Sequence, residues 1–189
     1  MISIYGEKEK LRREFIQKRL LLSREEVEDR SKNIVKGIIK NGFTGFKIFL
    51  FYVPIRNEVN LLPLAKTLFS EGRVILFPKI INYEKIVPYI VRDINFDFKR
   101  GAYGIPEPDT QPFYSDIDVV FVPGVVFGKN GYRIGYGKHF YDDFLSSFSI
   151  KVKIGVGYDF QLIENVPFTE KDVRLDFIQT ESFLYKIDK

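Results

Sequence analysis

Cysteine is missing from these 189 residues and histidine occurs once. The first absence excludes disulfides, thiolate zinc sites and cysteine nucleophiles. The second excludes a metal site built from several histidines of one chain. No apolar run approaches the roughly 18 residues that a membrane-crossing helix needs. The opening stretch from Met1 to Lys10 lacks the basic-then-apolar order of a secretory signal, so the expectation is a cytoplasmic chain with no membrane partner. Charge of one sign is also scarce: 29 basic against 25 acidic residues leave +4. That excess is too small to imply a nucleic-acid footprint by itself.

What is present suits one well-buried unit spanning 1–189, since a second independent core would be cramped at this length. Apolar residues make up 45% and charged residues 29% of the chain, as in an ordinary globular protein. Leu11, Phe15 and Leu22 line one side of a charged opening segment, predicting an amphipathic helix from about Lys8 to Leu21. Ser23 followed by Glu26 is a capping-box pattern, and Val27, Ile34, Val35 and Ile38 recur at helical spacing until Asn41-Gly42.

Buried-type strands are predicted at Lys47–Val53, at Val74–Phe77 closed by Pro78, at Ile86–Val91, and most clearly at Ile117–Val122. A helical stripe of Leu61, Leu64, Ala65 and Leu68 joins the first two strands. The pair is therefore expected to be parallel with a right-handed crossover. Gly101–Asp109 is too rich in Gly and Pro to be regular. A helix over Tyr141–Phe148 and short strands at Lys153–Gly157 and Leu175–Ile178 complete the pattern. This alternation predicts a three-layer α/β/α fold: a Rossmann-like, mainly parallel sheet with helices on both faces and a ligand crevice at the strand carboxyl ends. Strand order is left open.

Chemistry concentrates in Val122–Asp142, where an apolar strand empties into a glycine-rich basic loop. Gly131, Gly135 and Gly137 let backbone amides approach a ligand without an intervening Cβ, and Lys129, Arg133 and Lys138 add positive charge. Asp142 offers a metal carboxylate. The loop is not a Walker A motif: five residues separate Gly131 from Gly137-Lys138 instead of four, and His139 stands at the hydroxyl position. Nor is it the dinucleotide G-x-G-x-x-G, because Phe140 occupies the third glycine position. Glycines, cations and a carboxylate within one short stretch still point to phosphate binding.

These features resemble the 5-formyltetrahydrofolate cyclo-ligase family in order and spacing along nearly the whole chain. The resemblance runs from Lys8–Arg12 through Glu58, Gly104-Ile105-Pro106-Glu107-Pro108 and the glycine-rich loop to Asp172. It implies an ATP- and Mg²⁺-dependent closure of 5-formyltetrahydrofolate to 5,10-methenyltetrahydrofolate, with ADP and phosphate released and the formyl oxygen phosphorylated on the way. A monomer acting on 5-formyltetrahydrofolate and ATP, without nucleic acid, is expected.

By the same resemblance, Lys8 and Arg12 meet the nucleotide phosphates, as do Arg133, Ile134, Gly135, Tyr136, Gly137, Lys138, His139, Phe140 and Tyr141. Arg133 and Lys138 serve catalysis, the former through its planar fork. Val53 and Glu58 join Tyr136–Phe140 around the folate, with Glu58 accepting hydrogen bonds from the pterin. Asp142 and Asp172 hold the magnesium ion. Tyr103, Phe127, Tyr136 and Phe140 are candidate aromatic walls, although core packing suits Phe127 and Phe140 as well. His139 and Phe140 depart from the family's usual Gly and Tyr. Two other readings remain: a non-catalytic nucleotide or polyphosphate-binding module, and an RNA-binding domain suggested by aromatics near basic residues.

Overall fold

In the computed structural model, which describes residues 3–93 and 97–188, Ser3 caps α1 (Ile4–Leu20) by accepting a hydrogen bond from the Gly6 N–H at 3.2 Å. The helix thus begins a turn before the expected Lys8, because the cap lies further upstream. Leu22 falls outside it, in the turn before α2 (Arg24–Lys40), and packs into a different cluster from Leu11 and Phe15. Both halves of the capping box form: Glu26 N–H donates to Ser23 Oγ at 3.1 Å, and Ser23 N–H donates to Glu26 Oε2 at 2.8 Å. Gly42, at φ 78°, turns the chain out of α2.

Among the described residues the main sheet has seven strands. In chain order these are β1 (Ile48–Leu50), β2 (Val74–Ile81), β3 (Lys85–Ile90), β6 (Ile117–Val122), β9 (Ile150–Val156), β11 (Phe177–Gln179) and β12 (Leu184–Lys186). Across the sheet they stand β12-β11-β9-β6-β1-β2-β3. The five inner strands are parallel, and the edges β3 and β12 are antiparallel to their neighbours. α3 (Leu62–Ser70) links β1 to β2 as predicted. Between β3 and β6, a ribbon of β4 (Phe98–Arg100) and β5 (Pro106–Pro108) gives order to part of the Gly/Pro-rich stretch.

Pro78 does not close β2. The strand runs through it, and Pro78 faces Pro88 across the antiparallel pair. Residues without an N–H are compatible with a ladder position that asks neither to donate. The glycine-rich segment also holds more structure than foreseen. β7 (Val126–Gly128) and β8 (Arg133–Ile134) form a hairpin, and β10 (Leu162–Ile163) pairs alongside β7.

Apolar clusters cover both faces of the main sheet. On one side Ile34 and Ile38 of α2 and Leu64, Ala65 and Leu68 of α3 pack against Phe49, Phe51 and Phe121. On the other, Phe144 and Leu145 of α4 (Phe140–Ser147) meet Leu50, Leu76, Val120 and Val122. Each such side chain, fully removed from water, contributes about 1.5–3 kcal/mol. The three-layer expectation is met. Phe15 of α1 instead packs over the small sheet with Val125, Val126, Ile134 and Val166, which carries the charged face of α1 towards the loops.

Candidate functional site

The chain leaves β1 towards β2 on one side and later returns to form β6 on the other. Loops leaving β1 and β6 therefore diverge and open a crevice at their carboxyl ends. A cleft of about 630 Å³ lies there, and every nucleotide, folate and metal residue assigned from the resemblance lines it. Its lining also includes Tyr52, Val53, Pro123 and Gly124, together with Tyr103, Ile105, Pro106 and Glu107. Among the described residues, no helix is long and apolar enough to cross a membrane.

Lys8 and Arg12, one turn apart, face this cleft together. Lys8 is buried, and its Nζ donates to Asp172 Oδ2 at 2.5 Å. Arg12 Nε donates to Gly135 O at 2.8 Å, while its Nη1 contacts Glu9. Burial alone would raise the Asp172 pKa, but Lys8 together with the Thr169 N–H and hydroxyl holds it below the usual carboxylate value.

Arg133 enters from β8 and is almost fully buried. Its fork does form a paired contact, but to a carboxylate: Nη1 and Nη2 lie 3.0 and 3.2 Å from Asp142 Oδ1 and Oδ2. Arg133 Nε has no hydrogen-bond partner among the described residues. Asp142, in the first turn of α4, also accepts from the Val173 N–H at 3.0 Å. Gly137, at φ 87°, places its Cα against Arg12, so that an added Cβ would lie 3.4 Å from the guanidinium carbon. Gly135 has open space at the same position. His139 takes the left-handed conformation, φ 56°, at the start of α4 and is exposed. Lys138, also exposed, makes no ion pair among the described residues and lies 6.0 Å from the Tyr103 ring centre.

Donor atoms of His139, Asp142 and Asp172 all lie within 4.8 Å of one another. Two carboxylates from α4 and the C-terminal region suit Mg²⁺, which favours oxygen ligands and retains several waters. The residues present thus fit that ion, and the histidine is not required for it.

Glu58 is buried and lines the cleft. Its Oε2 accepts from the Ile55 N–H at 3.0 Å, whereas Oε1 lies within hydrogen-bonding geometry of no group among the described residues. Burial pushes its pKa up to about 7 against the opposing pull of Arg19, the Ile55 N–H, the Tyr136 hydroxyl and Arg56. Among the described residues the cation within 4 Å of it is Arg19, 3.9 Å away. Burial, reinforced by the Glu58 charge, also pushes the Tyr136 and Tyr141 hydroxyls above the usual phenol value.

Phe127 is no wall of the cleft. It is wholly buried beneath three glycines: a Cβ added at Gly124, Gly155 or Gly157 would lie 2.6, 2.8 or 2.7 Å from its ring. Phe140 does both jobs, lining the cleft while packing on the second cluster. Arg19 was missed by sequence reasoning, and the buried Glu107 was named only within the Gly104–Pro108 stretch, with no role assigned. Arg19 lies seven residues beyond Arg12, a spacing that continues the Lys8–Arg12 helix face, and this was the available signal. Glu107 accepts from the Ile80 N–H at 3.2 Å, a contact between segments far apart in sequence.

Fold and cleft together define an α/β class in which a basic glycine-rich turn shares one crevice with the buried carboxylate of Glu58 and with Asp142 and Asp172. A family model described as the 5-formyltetrahydrofolate cyclo-ligase family matches residues 4–181. The 5-formyltetrahydrofolate cyclo-ligase of Mycoplasma genitalium is 33% identical over 173 residues, covering 86% of this chain and 94% of that protein. The solution structure of Aquifex aeolicus 5,10-methenyltetrahydrofolate synthetase superimposes with a TM-score of 0.86 at 32% identity, covering 96% of this chain and 93% of the other. The Mycoplasma pneumoniae 5,10-methenyltetrahydrofolate synthetase gives 0.75 at 26% identity, covering 92% and 98%. The chain belongs to the 5-formyltetrahydrofolate cyclo-ligase family, and is a ligase of folate metabolism.

Proposed function

We propose that this chain acts as a single domain that converts 5-formyltetrahydrofolate to 5,10-methenyltetrahydrofolate at the expense of ATP, through phosphorylation of the formyl oxygen. The observation that carries the reading is the convergence, in one cleft, of Lys8, Arg12 and Arg133 with two neighbouring carboxylates and the unpartnered Glu58 oxygen.

A formyl amide oxygen is a poor leaving group. In the proposed reaction it attacks the γ-phosphorus of ATP, the bond to the β–γ bridging oxygen breaks, and ADP departs with that electron pair. The 10-nitrogen then adds to the activated carbon, its proton is lost, and the carbon–oxygen bond breaks to release phosphate. Nothing here requires a protein nucleophile, consistent with a chain that has no cysteine. Catalysis rests on positioning and on neutralising phosphate charge. Arg133 and Lys138 face the transferring group, Lys8 and Arg12 the remaining phosphates, and backbone N–H groups of Ile134–Tyr141 follow the same anion. Asp142 and Asp172 would hold Mg²⁺, which neutralises phosphate charge when bound. Val53 and the Tyr136–Phe140 turn border the folate, and Glu58 accepts N–H donors of its pterin.

In the described geometry Lys8 is paired with Asp172 and Arg133 with Asp142. With a polyphosphate in the cleft, Lys8 and Arg133 would turn to phosphate, leaving Asp142 and Asp172 to hold Mg²⁺, whose charge would take their place. Mixing the purified protein with 5-formyltetrahydrofolate, ATP and Mg²⁺ and following the methenyl chromophore tests the reading. The absorbance should rise only with all three present, and a flat trace refutes it.

A further inference from the structure

Arg19 lies near the end of α1 with only 1% of its surface exposed. A buried guanidinium is tolerated when its donors are satisfied, and three of its groups are committed. Nε donates to Arg56 O at 2.9 Å, Nη1 to Gly124 O at 3.0 Å, and Nη2 to the Tyr136 hydroxyl. The same region is held from the other side, where Asn57 Nδ2 donates to Arg19 O at 3.2 Å and to Leu22 O at 2.9 Å. One side chain thereby ties α1 to the loop after β1, the loop after β6 and the glycine-rich turn, all of which border the cleft.

The Glu58 carboxylate lies beside this knot, with Arg19 Nη2 3.9 Å from Oε1. That separation gives attraction without a hydrogen bond. The groups facing Glu58 are Arg19 from α1, Arg56 from its own loop, Tyr52 beyond β1, Tyr136 from the glycine-rich turn and Tyr141 from α4. The phenols carry no charge, the Tyr136 hydroxyl favouring the Glu58 carboxylate only as a hydrogen-bonding neighbour, and the exposed Arg56 is screened by solvent. Arg19 is the buried counter-charge.

We propose that Arg19 is a positioning residue for Glu58: it fixes the loop that presents the carboxylate and supplies the opposing charge from a distance that leaves Oε1 open to a ligand's N–H donors. The ligand part rests on the assignment of Glu58 to the folate. An arginine bound directly to Oε1 would compete with the substrate, whereas one whose three nitrogens each point to a carbonyl or a phenol, with Nη2 3.9 Å from Oε1, does not.

The test compares wild type with Arg19→Met and Arg19→Lys, using Glu58→Gln to assign the Glu58 carboxyl in ¹³C NMR. In Arg19→Met the Glu58 titration midpoint should rise by more than about one pH unit. The KM for 5-formyltetrahydrofolate should rise at least about tenfold at neutral pH and recover towards pH 9, with the KM for ATP moving less than about threefold. A folded Arg19→Met protein with an unmoved Glu58 midpoint, or with both KM values shifted alike at every pH, overturns the proposal. Should Arg19→Met fail to fold, Arg19→Lys decides. Lysine keeps the charge but cannot reproduce the three-way anchor. Its Glu58 midpoint should stay within about half a unit of wild type while the folate KM alone rises several-fold, and a larger midpoint shift or an unchanged folate KM refutes the idea. Wild type that turns over no folate would remove the substrate assignment, and the NMR titrations would still decide whether Arg19 governs Glu58.

Discussion

Replacing Glu58 with glutamine should make the protein more stable in alkaline solution while harming its activity. The folded carboxyl has a pKa of about 7 against an ordinary 4.5, with burial as the main cause. That difference corresponds to ~3 kcal/mol. Below the ordinary value both folded and unfolded chains carry the proton, and Glu58 contributes no pH dependence. As pH rises from about 4.5 to 7 the unfolded chain releases the proton while the folded one retains it. The unfolded state then binds fewer protons, so stability falls over this window and levels off above it. Glutamine has no proton to release and lacks this decline. Urea unfolding of both proteins at pH 4.5, 6 and 8 should show Glu58→Gln gaining ~3 kcal/mol on wild type between the two ends. Turnover of 5-formyltetrahydrofolate by the variant should fall through a raised KM, since an amide oxygen accepts N–H donors without the negative charge. Parallel pH profiles of stability would refute the argument, because they would mean that Glu58 ionises as freely inside the fold as outside it.

Arg133→Ala and Asp142→Ala should each lower turnover more than about tenfold, since each removes a charge from the phosphoryl-transfer region; near-normal rates in both would dismiss the phosphate site. Gly135→Ala should leave the melting temperature unchanged, having nothing within 4 Å of the added methyl, yet weaken ATP binding if the turn lies against phosphate. Gly137→Ala should cost ~1–2 kcal/mol of stability, because its φ of 87° is left-handed, and thermal melts of the two variants separate strain from ligand contact. His139→Gly should be neutral or stabilising by up to ~1 kcal/mol, as it relieves a left-handed residue whose side chain makes no cap hydrogen bond. Its Mg²⁺ dependence should stay near wild type, and a large loss would make the imidazole a metal ligand.

The layers were legible because burial on both faces writes continuous apolar runs, and Ile117–Val122 became β6 without adjustment. The capping box of Ser23 and Glu26 was legible for a local reason: its contacts lie within one helical turn. The β7–β8 hairpin was not, because strands of three and two residues are too short to show a period. β2 ran past Pro78 for a reason invisible in one segment, namely that its partner strand also presents a proline there. Arg19 was hidden by its company in a highly charged helix, where solvation is the default expectation for a cation. Its burial depends on carbonyls 37 and 105 residues away.

The candidate site shows the same division between identity and partnership. The residue types at Lys8, Arg133, Asp142 and Asp172 announced phosphate and metal chemistry, but the sequence did not show that the cations and carboxylates would pair with one another. Bringing these residues together without ligands requires such pairing: a nearly buried arginine and a nearly buried lysine facing empty space would carry a desolvation cost of several kcal/mol each. The pairs therefore allow the cleft to be assembled before its ligands arrive. They also predict an interdependence between the ligands. A polyphosphate that draws Arg133 away frees Asp142 for metal, and a metal that claims Asp142 frees Arg133 for phosphate, so each should bind more tightly in the presence of the other. Calorimetric titration of ATP with and without Mg²⁺, in wild type and in Asp142→Asn, measures that coupling. A coupling no larger than that of magnesium with ATP in free solution, or one that survives the substitution intact, would show that the exchange of partners does not occur.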